Sequence, residues 1–245
     1  MRVVRARDYE DMSRRAAHVI GALVTLRPDA VLGLATGSTP EGTYARLAER
    51  CVAGDLDLSG VTTFNLDEYL GLPPEDPQSF RWFMDRHLFG PVGLAPERTH
   101  VPDGCGDDMD AVCRAYDAAL EAAGYPDLQL LGIGGNGHVG FNEPADAFPT
   151  GTHVVALAGE TIRDNSRFFD SPDQVPTHAV TVGMDAIMRS RRVLVLASGR
   201  AKAEAVRALC LGPVTPTCPA SVLRLHADCT LVADEDALSL CPELG

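Results

Sequence analysis

The sequence has no long apolar run and no closely spaced cysteine pair. It contains no uncharged apolar stretch of roughly 18 residues, the length that a membrane-spanning helix requires. The first residues, Met1-Arg-Val-Val-Arg-Ala-Arg-Asp8, lack the apolar core of a signal peptide, so we expect a cytoplasmic protein with no membrane partner. The seven cysteines are never spaced as Cys-x-x-Cys, which favours reduced thiols over a disulfide framework or a zinc site.

Positive charge is also scarce. Lysine and arginine number 21 against 34 aspartates and glutamates, which gives a net charge of −13. Nucleic acids attract proteins with a positive field, so we expect no nucleic-acid partner. An anionic small molecule would need a local site, built from backbone N–H groups at a helix N-terminus and a few basic side chains.

The pattern that is present alternates short apolar strands with amphipathic helices. Strands are predicted at about 30–35, 61–65, 128–132, 179–182, 193–197 and 230–233, and helices at about 8–26, 41–52, 79–89, 108–123, 200–210 and 219–225. This alternation predicts an α/β fold with a doubly wound, mainly parallel, Rossmann-like sheet. We see no linker and expect a single domain, 1–245. The longest irregular segment, 140–178, is either a lid over the site or a surface crossover.

Small residues follow the first buried strand, in Ala35-Thr-Gly-Ser-Thr-Pro40. Ligands of doubly wound sheets bind beyond the carboxyl ends of the strands, and a helix N-terminus there attracts anions. We therefore take Gly37, Ser38 and Thr39 as a candidate phosphate cradle. The segment matches neither a Walker loop nor a dinucleotide fingerprint, and taken alone it is better explained by an ordinary turn with a helix cap.

Two carboxylates, Asp67 and Glu68, arrive at the end of the next strand pattern, in Phe64-Asn-Leu-Asp-Glu-Tyr69. A partly desolvated carboxylate in such a place is a reasonable base for removing a proton from a carbon next to a carbonyl. The alternative is a loop carboxylate that caps the following turn.

A glycine-rich loop, Gly134-Gly-Asn-Gly-His-Val-Gly-Phe-Asn-Glu-Pro144, follows the strand at 128–132. It carries Asn136, His138 and Glu143. Imidazole can act as both acid and base near neutral pH, and a nearby carboxylate can orient it. A lone histidine is more often structural, but its place in a glycine-rich loop after a strand favours a functional role.

Positive charge for a phosphate is available from two later segments. The first is Thr161-Ile-Arg-Asp-Asn-Ser-Arg-Phe-Phe169, which contains Arg163 and Arg167. The second contains Lys202, which is predicted in a first helical turn, where a cation is unfavourable unless a bound anion compensates it. The alternative is a solvated surface lysine.

Together these segments resemble the glucosamine-6-phosphate deaminase family over nearly the whole chain. The motifs that carry the resemblance are Gly33-Leu-Ala-Thr-Gly-Ser-Thr-Pro40, Phe64-Asn-Leu-Asp-Glu-Tyr69, Gly134-Gly-Asn-Gly-His-Val-Gly-Phe-Asn-Glu-Pro144, Asn165-Ser-Arg-Phe-Phe169, Thr181-Val-Gly-Met184 and Ser198-Gly-Arg-Ala-Lys202. The resemblance implies isomerisation and deamination of glucosamine 6-phosphate to fructose 6-phosphate and ammonia, without cofactor or metal.

The resemblance also implies roles for individual residues. His138 would open the pyranose ring, supported by Asn136 and Glu143, and Asp67 would then move the C2 proton of the open chain to C1. Ser38, Thr39, Arg167 and Lys202 would bind the phosphate. Position 136 is aspartate in some members of the family, and since asparagine cannot take a proton, Asn136 would orient its neighbours by hydrogen bonds.

Regulation and competing functions complete the expectations. The positions that bind the activator in hexameric members look like Asp146, His153 and Val155 here, so we expect no activation by N-acetylglucosamine 6-phosphate, and a monomer rather than a homo-oligomer. The alternatives are a 6-phosphogluconolactonase, which needs no C2 base, and a sensor that binds sugar phosphates without catalysis. Galactosamine 6-phosphate remains open as a substrate.

Overall fold

The computed structural model describes residues 1–169 and 171–244. Within these residues the strands are β1 (Arg2–Ala6), β2 (Val31–Leu34), β3 (Thr62–Asn65), β4 (Asp67–Tyr69), β5 (Thr99–His100), β6 (Leu128–Gly132), β7 (His153–Ala156), β8 (His178–Thr181), β9 (Val193–Ala197) and β10 (Cys229–Asp234). The α-helices are α1 (Tyr9–Leu26), α2 (Ser38–Val52), α3 (Phe80–Met84), α4 (Gly90–Val92), α5 (Met109–Ala122), α6 (Gly159–Asn165), α7 (Met184–Arg189) and α8 (Ala203–Leu211).

Seven strands form a parallel sheet in the order β1-β10-β9-β6-β2-β3-β5. Alternate side chains of its central strands point to opposite faces, so the sheet has a core on each side. Leu128 and Leu130 pack with α1 and α2, whereas Leu131 packs with α5, α7 and α8. The predicted doubly wound, mainly parallel fold is confirmed.

The sheet reverses its winding between β2 and β6. From β2 the chain runs outward to β3 and β5, then returns to β6 on the other side of β2 and continues to β9 and β10. The carboxyl ends of β2 and β6 therefore lie at the point where the connections diverge. Such a crevice is the usual ligand site of doubly wound sheets.

A second, antiparallel sheet contains β4, β8 and β7 in that order. The chain leaves the main sheet at Leu66, whose N–H donates to Leu34 O (3.1 Å) and whose carbonyl accepts from Val182 N (2.7 Å). The strand predicted at 179–182 is part of this sheet, as β8, and not of the main one. Its residues Ala179–Thr181 are buried like those of a central strand, so their apolar pattern does not distinguish the two sheets.

Several boundaries differ from the predictions. The predicted helix at 79–89 is α3 followed by a π-helical segment, Asp85–Phe89, and the one at 200–210 begins with a 3-10 turn, Arg200–Lys202. The 219–225 segment is a 3-10 helix. The segment 140–178 is not irregular throughout, because it contains β7, α6 and two short 3-10 turns. In the part of the chain that the structure describes, no helix is long and apolar enough to cross a membrane.

Candidate active site

A cavity of about 990 Å³ opens at the carboxyl ends of β2 and β6. Seven of the nine predicted site residues line it, namely Gly37, Ser38, Thr39, Asp67, His138, Arg167 and Lys202. Asn136 and Glu143 do not line it, but within the same loop they contact each other and His138. The fold thus brings together residues that are up to 165 positions apart (202 − 37) at the crevice where a ligand is expected.

Asp67 is the first residue after the chain leaves the main sheet, and its side chain is only 5% exposed. Burial raises its pKa to about 8, and the adjacent charge of Glu68 contributes to the rise. The glycine loop passes close by, because a Cβ placed on Gly140 would lie 3.3 Å from Asp67 Oδ2. The carboxyl group is therefore poised to exchange a proton near neutral pH.

Glu68 has a different environment from its neighbour. Its carboxylate accepts hydrogen bonds from the backbone N–H groups of Tyr69 (2.8 Å), Phe80 (2.9 Å) and Arg81 (3.0 Å), and from Ser79 Oγ (3.0 Å). Glu68 therefore caps the start of α3, which is the alternative role that the sequence analysis gave for a loop carboxylate here. Asp67 instead faces the cavity. Burial raises the pKa of Glu68, and these hydrogen bonds partly offset that effect.

The ring of His138 lies flat against the backbone of Gly134. A Cβ placed on Gly134 would come within 2.3 Å of His138 Cε1, so only glycine leaves room for the imidazole here. His138 Nδ1 is 3.5 Å from Glu143 Oε2, an ion pair when the ring is protonated. Gly134 N also donates to the carbonyl of His138 (2.9 Å), which closes the loop around the ring.

Glu143 is nearly buried and is held by several donors. Asn136 Nδ2 donates to its Oε2 (2.8 Å), and Thr161 Oγ1 and Ala158 N donate to its Oε1. Burial by itself would raise the pKa of Glu143, but the interaction with His138 and the hydrogen bonds from Thr161 and Asn136 outweigh it and lower the pKa to about 2. Glu143 therefore remains ionised and can support positive charge on His138.

The opposite end of the cavity is suited to an anion. Gly37, with φ of 86°, turns the chain into α2, whose N-cap makes no side-chain hydrogen bond and whose first residues, Ser38 and Thr39, line the cavity. Arg167 Nη2 donates to Ser38 Oγ (3.1 Å) from the opposite wall. Gly199, also with φ of 86°, makes a similar turn after β9 and brings Lys202 to the same end.

Burial lowers the pKa of Lys202, and the positive charge of Arg167 acts in the same direction. Asp164 and Glu160 oppose this effect. A bound phosphate would stabilise both cations. It would also offset the unfavourable placement of a positive charge at Lys202, which the sequence predicted for a first helical turn. Arg163, the other candidate on this segment, is exposed and does not line the cavity.

Sequence reasoning missed six of the aromatic side chains that line the cavity, which we call the aromatic wall: Tyr69, Phe80, Trp82, Phe83, Phe141 and Phe169. Tyr69 is central to it, with ring centroids 4.8 Å from Phe80 and 5.6 Å from Phe141. Its hydroxyl accepts a hydrogen bond from Asn165 Nδ2 (2.8 Å). Three of the six, at positions 69, 141 and 169, lie inside the recognised motifs, which is the signal that was available.

Comparisons with known proteins agree with this geometry. The chain matches the family model described as glucosamine-6-phosphate isomerases/6-phosphogluconolactonase over residues 6–232. It is 51% identical over 240 residues to the glucosamine-6-phosphate deaminase of Halothermothrix orenii, a match that covers 98% of this chain and 100% of the relative.

Solved structures give the same picture. A protein described as a monomeric glucosamine-6-phosphate deaminase superposes with a TM-score of 0.96 at 45% identity, covering 98% of this chain and 100% of that one. A 6-phosphogluconolactonase from Trypanosoma brucei superposes with a TM-score of 0.77 at 20% identity, covering 98% of each chain. The second likeness shows the fold alone.

Proposed function

Because the chain belongs to the family of glucosamine-6-phosphate isomerases and 6-phosphogluconolactonases, we infer that it converts glucosamine 6-phosphate and water to fructose 6-phosphate and ammonia. The observation that carries this inference is the buried carboxyl group of Asp67, which shares a cavity with His138 and the basic phosphate end. A reaction that moves a proton between adjacent carbons needs such a base, whereas hydrolysis of a lactone does not.

The phosphate would bind first at the N-terminus of α2. Backbone N–H groups of its first turn, the hydroxyls of Ser38 and Thr39, and the charges of Arg167 and Lys202 all face this end of the cavity. Binding here fixes the far end of the sugar, so that carbons C1 and C2 lie between His138 and Asp67.

Ring opening is the role we assign to His138. It would protonate the ring oxygen as the bond to C1 breaks, while the hydroxyl at C1 gives up its proton to water and the aldehyde forms. Glu143 stays ionised and stabilises the positive ring, and Asn136 holds both through its bonds to Glu143 and to His138 N. Asn136 cannot relay a proton, so it acts by orientation.

Asp67 then acts on the open chain. It would remove the proton from C2 and return it at C1, so that an enolamine forms and rearranges to the imine at C2, which water converts to the ketose and ammonia. Before substrate binds, the raised pKa of Asp67 would keep much of it protonated at neutral pH. The ammonium group of the substrate would favour the ionised carboxylate, because a nearby opposite charge lowers a carboxyl pKa.

The runner-up activity is hydrolysis of 6-phosphogluconolactone on the same fold. This reaction would use the glycine-rich loop that carries His138, and Asp67 would have no catalytic role in it. The 51% identity with a deaminase against 20% with a lactonase structure favours deamination. A catalytically inactive sensor is less well supported, because Asp67, His138 and Glu143 are all in place.

We also propose the remaining properties of the enzyme. It would be a monomeric cytoplasmic protein of one domain that works without cofactor, with the segment 140–178 closing over the substrate. The negative net charge argues against a nucleic-acid partner, and the structural neighbour is described as monomeric. N-acetylglucosamine 6-phosphate would not activate it.

The test is release of ammonia and fructose 6-phosphate from glucosamine 6-phosphate by the purified protein, without added metal or nucleotide. We expect equal amounts of both products, and the same assay with galactosamine 6-phosphate defines the preference at C4. If the wild-type protein releases neither product but hydrolyses 6-phosphogluconolactone, the proposed function is wrong and the lactonase reading replaces it.

A further inference from the structure

Glu68 is a buried carboxylate that the proposed reaction does not use. Its side chain is only 3% exposed, next to the base in sequence. Three of its four hydrogen-bond donors, Ser79, Phe80 and Arg81, lie 11 to 13 residues further along the chain, at the start of α3. Glu68 therefore joins two elements that are separate in sequence.

These two elements form two sides of the cavity. β4 carries Asp67 and Tyr69, and α3 carries Phe80, Trp82 and Phe83 of the aromatic wall. The first N–H groups of α3 have no partner within the helix and need acceptors from outside it. Ser79 is the N-cap and accepts a hydrogen bond from Trp82 N (3.2 Å). Glu68 accepts hydrogen bonds from the two preceding N–H groups, those of Phe80 and Arg81.

We propose that Glu68 is a positioning residue of the deamination reaction, whose carboxylate fixes the aromatic wall to the strand that carries the base. The proposal rests on the proposed function, since it assigns Glu68 to the same site. A carboxylate suits the place because it can accept all four hydrogen bonds, whereas a glutamine in the same position would turn a donor towards backbone donors.

The charge of Glu68 has a second consequence for Asp67. Burial raises the pKa of Asp67, and the charge of Glu68 raises it further, so the base ionises only at a higher pH. Within the described residues, the titratable groups that interact with Asp67 include Tyr44 on α2, Tyr69 on β4 and Tyr116 on α5, whose pKa values are raised mainly by burial and further by Asp67. His138 lines the same cavity. Glu68 itself is faced by Tyr69 and by Cys105 of the loop after β5.

Two substitutions separate the two effects. Glu68→Gln keeps the length of the side chain but removes its charge, and Glu68→Asp keeps the charge but is too short for the donors of α3. Ser79→Ala is the control for the charge, because it removes one hydrogen bond to Glu68 and the N-cap of α3 but leaves the charge of Glu68 in place.

Two readouts need no substrate. The first is titration of Asp67 by carboxyl ¹³C NMR, with the signal identified by its loss in Asp67→Asn. We expect a midpoint lower by about one pH unit in Glu68→Gln, and an unchanged midpoint in Glu68→Asp and Ser79→Ala. The second is hydrogen exchange at Phe80 and Arg81, which we expect to accelerate by roughly tenfold in both Glu68 variants.

The kinetic readout completes the test. We expect kcat/KM to fall by roughly tenfold in both Glu68 variants, and its rise with pH to shift to lower pH in Glu68→Gln alone. An unmoved Asp67 midpoint in Glu68→Gln, or unchanged amide protection in either variant, would overturn the proposal. If Glu68→Gln does not fold, protected Phe80 and Arg81 amides in Glu68→Asp would overturn it equally. Absence of ammonia release by the wild type would refute the proposed function but leave both NMR results decisive for Glu68.

Discussion

The two ends of the cavity are built on opposite physical principles. The phosphate end uses backbone N–H groups and basic side chains, and Ser38 and Arg167 are exposed there. The base end uses burial, which brings Asp67 to 5% exposure and raises its pKa to about 8. The phosphate end binds the charged phosphate group of the substrate, whereas the base end controls when Asp67 becomes ionised. Mutations at the two ends should therefore affect substrate binding and catalysis separately.

The largest expected effect is at the base end. Asp67→Asn keeps the size of the side chain and removes its ability to take a proton, so we expect kcat for deamination to fall by roughly 10²–10⁴-fold with KM little changed. Steady-state ammonia release measures it. Any hydrolysis of 6-phosphogluconolactone should persist in the variant, and full deamination by Asp67→Asn would rule out Asp67 as the base.

A smaller loss of kcat is expected behind the histidine. Glu143→Gln removes the charge that stabilises positive His138 but keeps an acceptor for Thr161, so kcat should fall by roughly 10–100-fold. If the two ends of the cavity act separately, the KM of Glu143→Gln should stay within about twofold of the wild-type value. The readout is the rate of ring opening, followed by substrate NMR. An unchanged rate would mean that Glu143 serves only the fold of the loop.

At the phosphate end the same comparison predicts the opposite kinetic pattern. Lys202→Ala should raise KM by roughly tenfold or more through loss of a charge-assisted hydrogen bond, with a smaller effect on kcat. Arg163→Ala is the control on the basic segment, since Arg163 is exposed outside the cavity and its loss should change neither constant. A fall in kcat alone in Lys202→Ala would contradict the division between the two ends.

The smallest effect concerns stability. Because the folded protein raises the pKa of Asp67 from 3.8 to about 8, the folded state holds an extra proton between these values, and stability falls as pH rises through this window. Asp67→Asn removes this cost, so its Tm should exceed that of the wild type by roughly 3–8 °C at pH 8 and by less at pH 5. Asp146→Asn, at an exposed position, should show no such trend in calorimetry.

The main sheet was largely predictable from the sequence. Its central strands are buried on both faces, and the apolar runs at 128–132 and 193–197 match β6 and β9 in both bounds. The start of α1 was predictable because Asp8 accepts a hydrogen bond from Asp11 N (2.8 Å) as an N-cap. The second sheet was not, because β4 has three residues and is defined only by pairing with β8, 114 positions away (181 − 67).

The candidate site also contains some features that the sequence could predict and others that it could not. Gly37, His138 and Lys202 follow strands directly, so the sheet topology alone brings them together. The separation of Asp67 from Glu68 depends on the donors at the start of α3, which no pattern near residue 68 reveals. Of the aromatic wall, Phe80 and Phe83 were missed because apolar side chains at helical spacing look like ordinary core residues. Tyr69, Phe141 and Phe169 were missed because their motifs were interpreted through their polar residues.

The contact between Gly134 and the ring of His138 constrains how this site can vary. A methyl group at position 134 would occupy the place of the imidazole, so the two positions are not independent. In a library that randomises both, we expect side chains at 134 to survive only in clones that have also lost the histidine. Selection for activity would then return the same pair each time, and a designer who wants a side chain at position 134 has to replace the histidine as well.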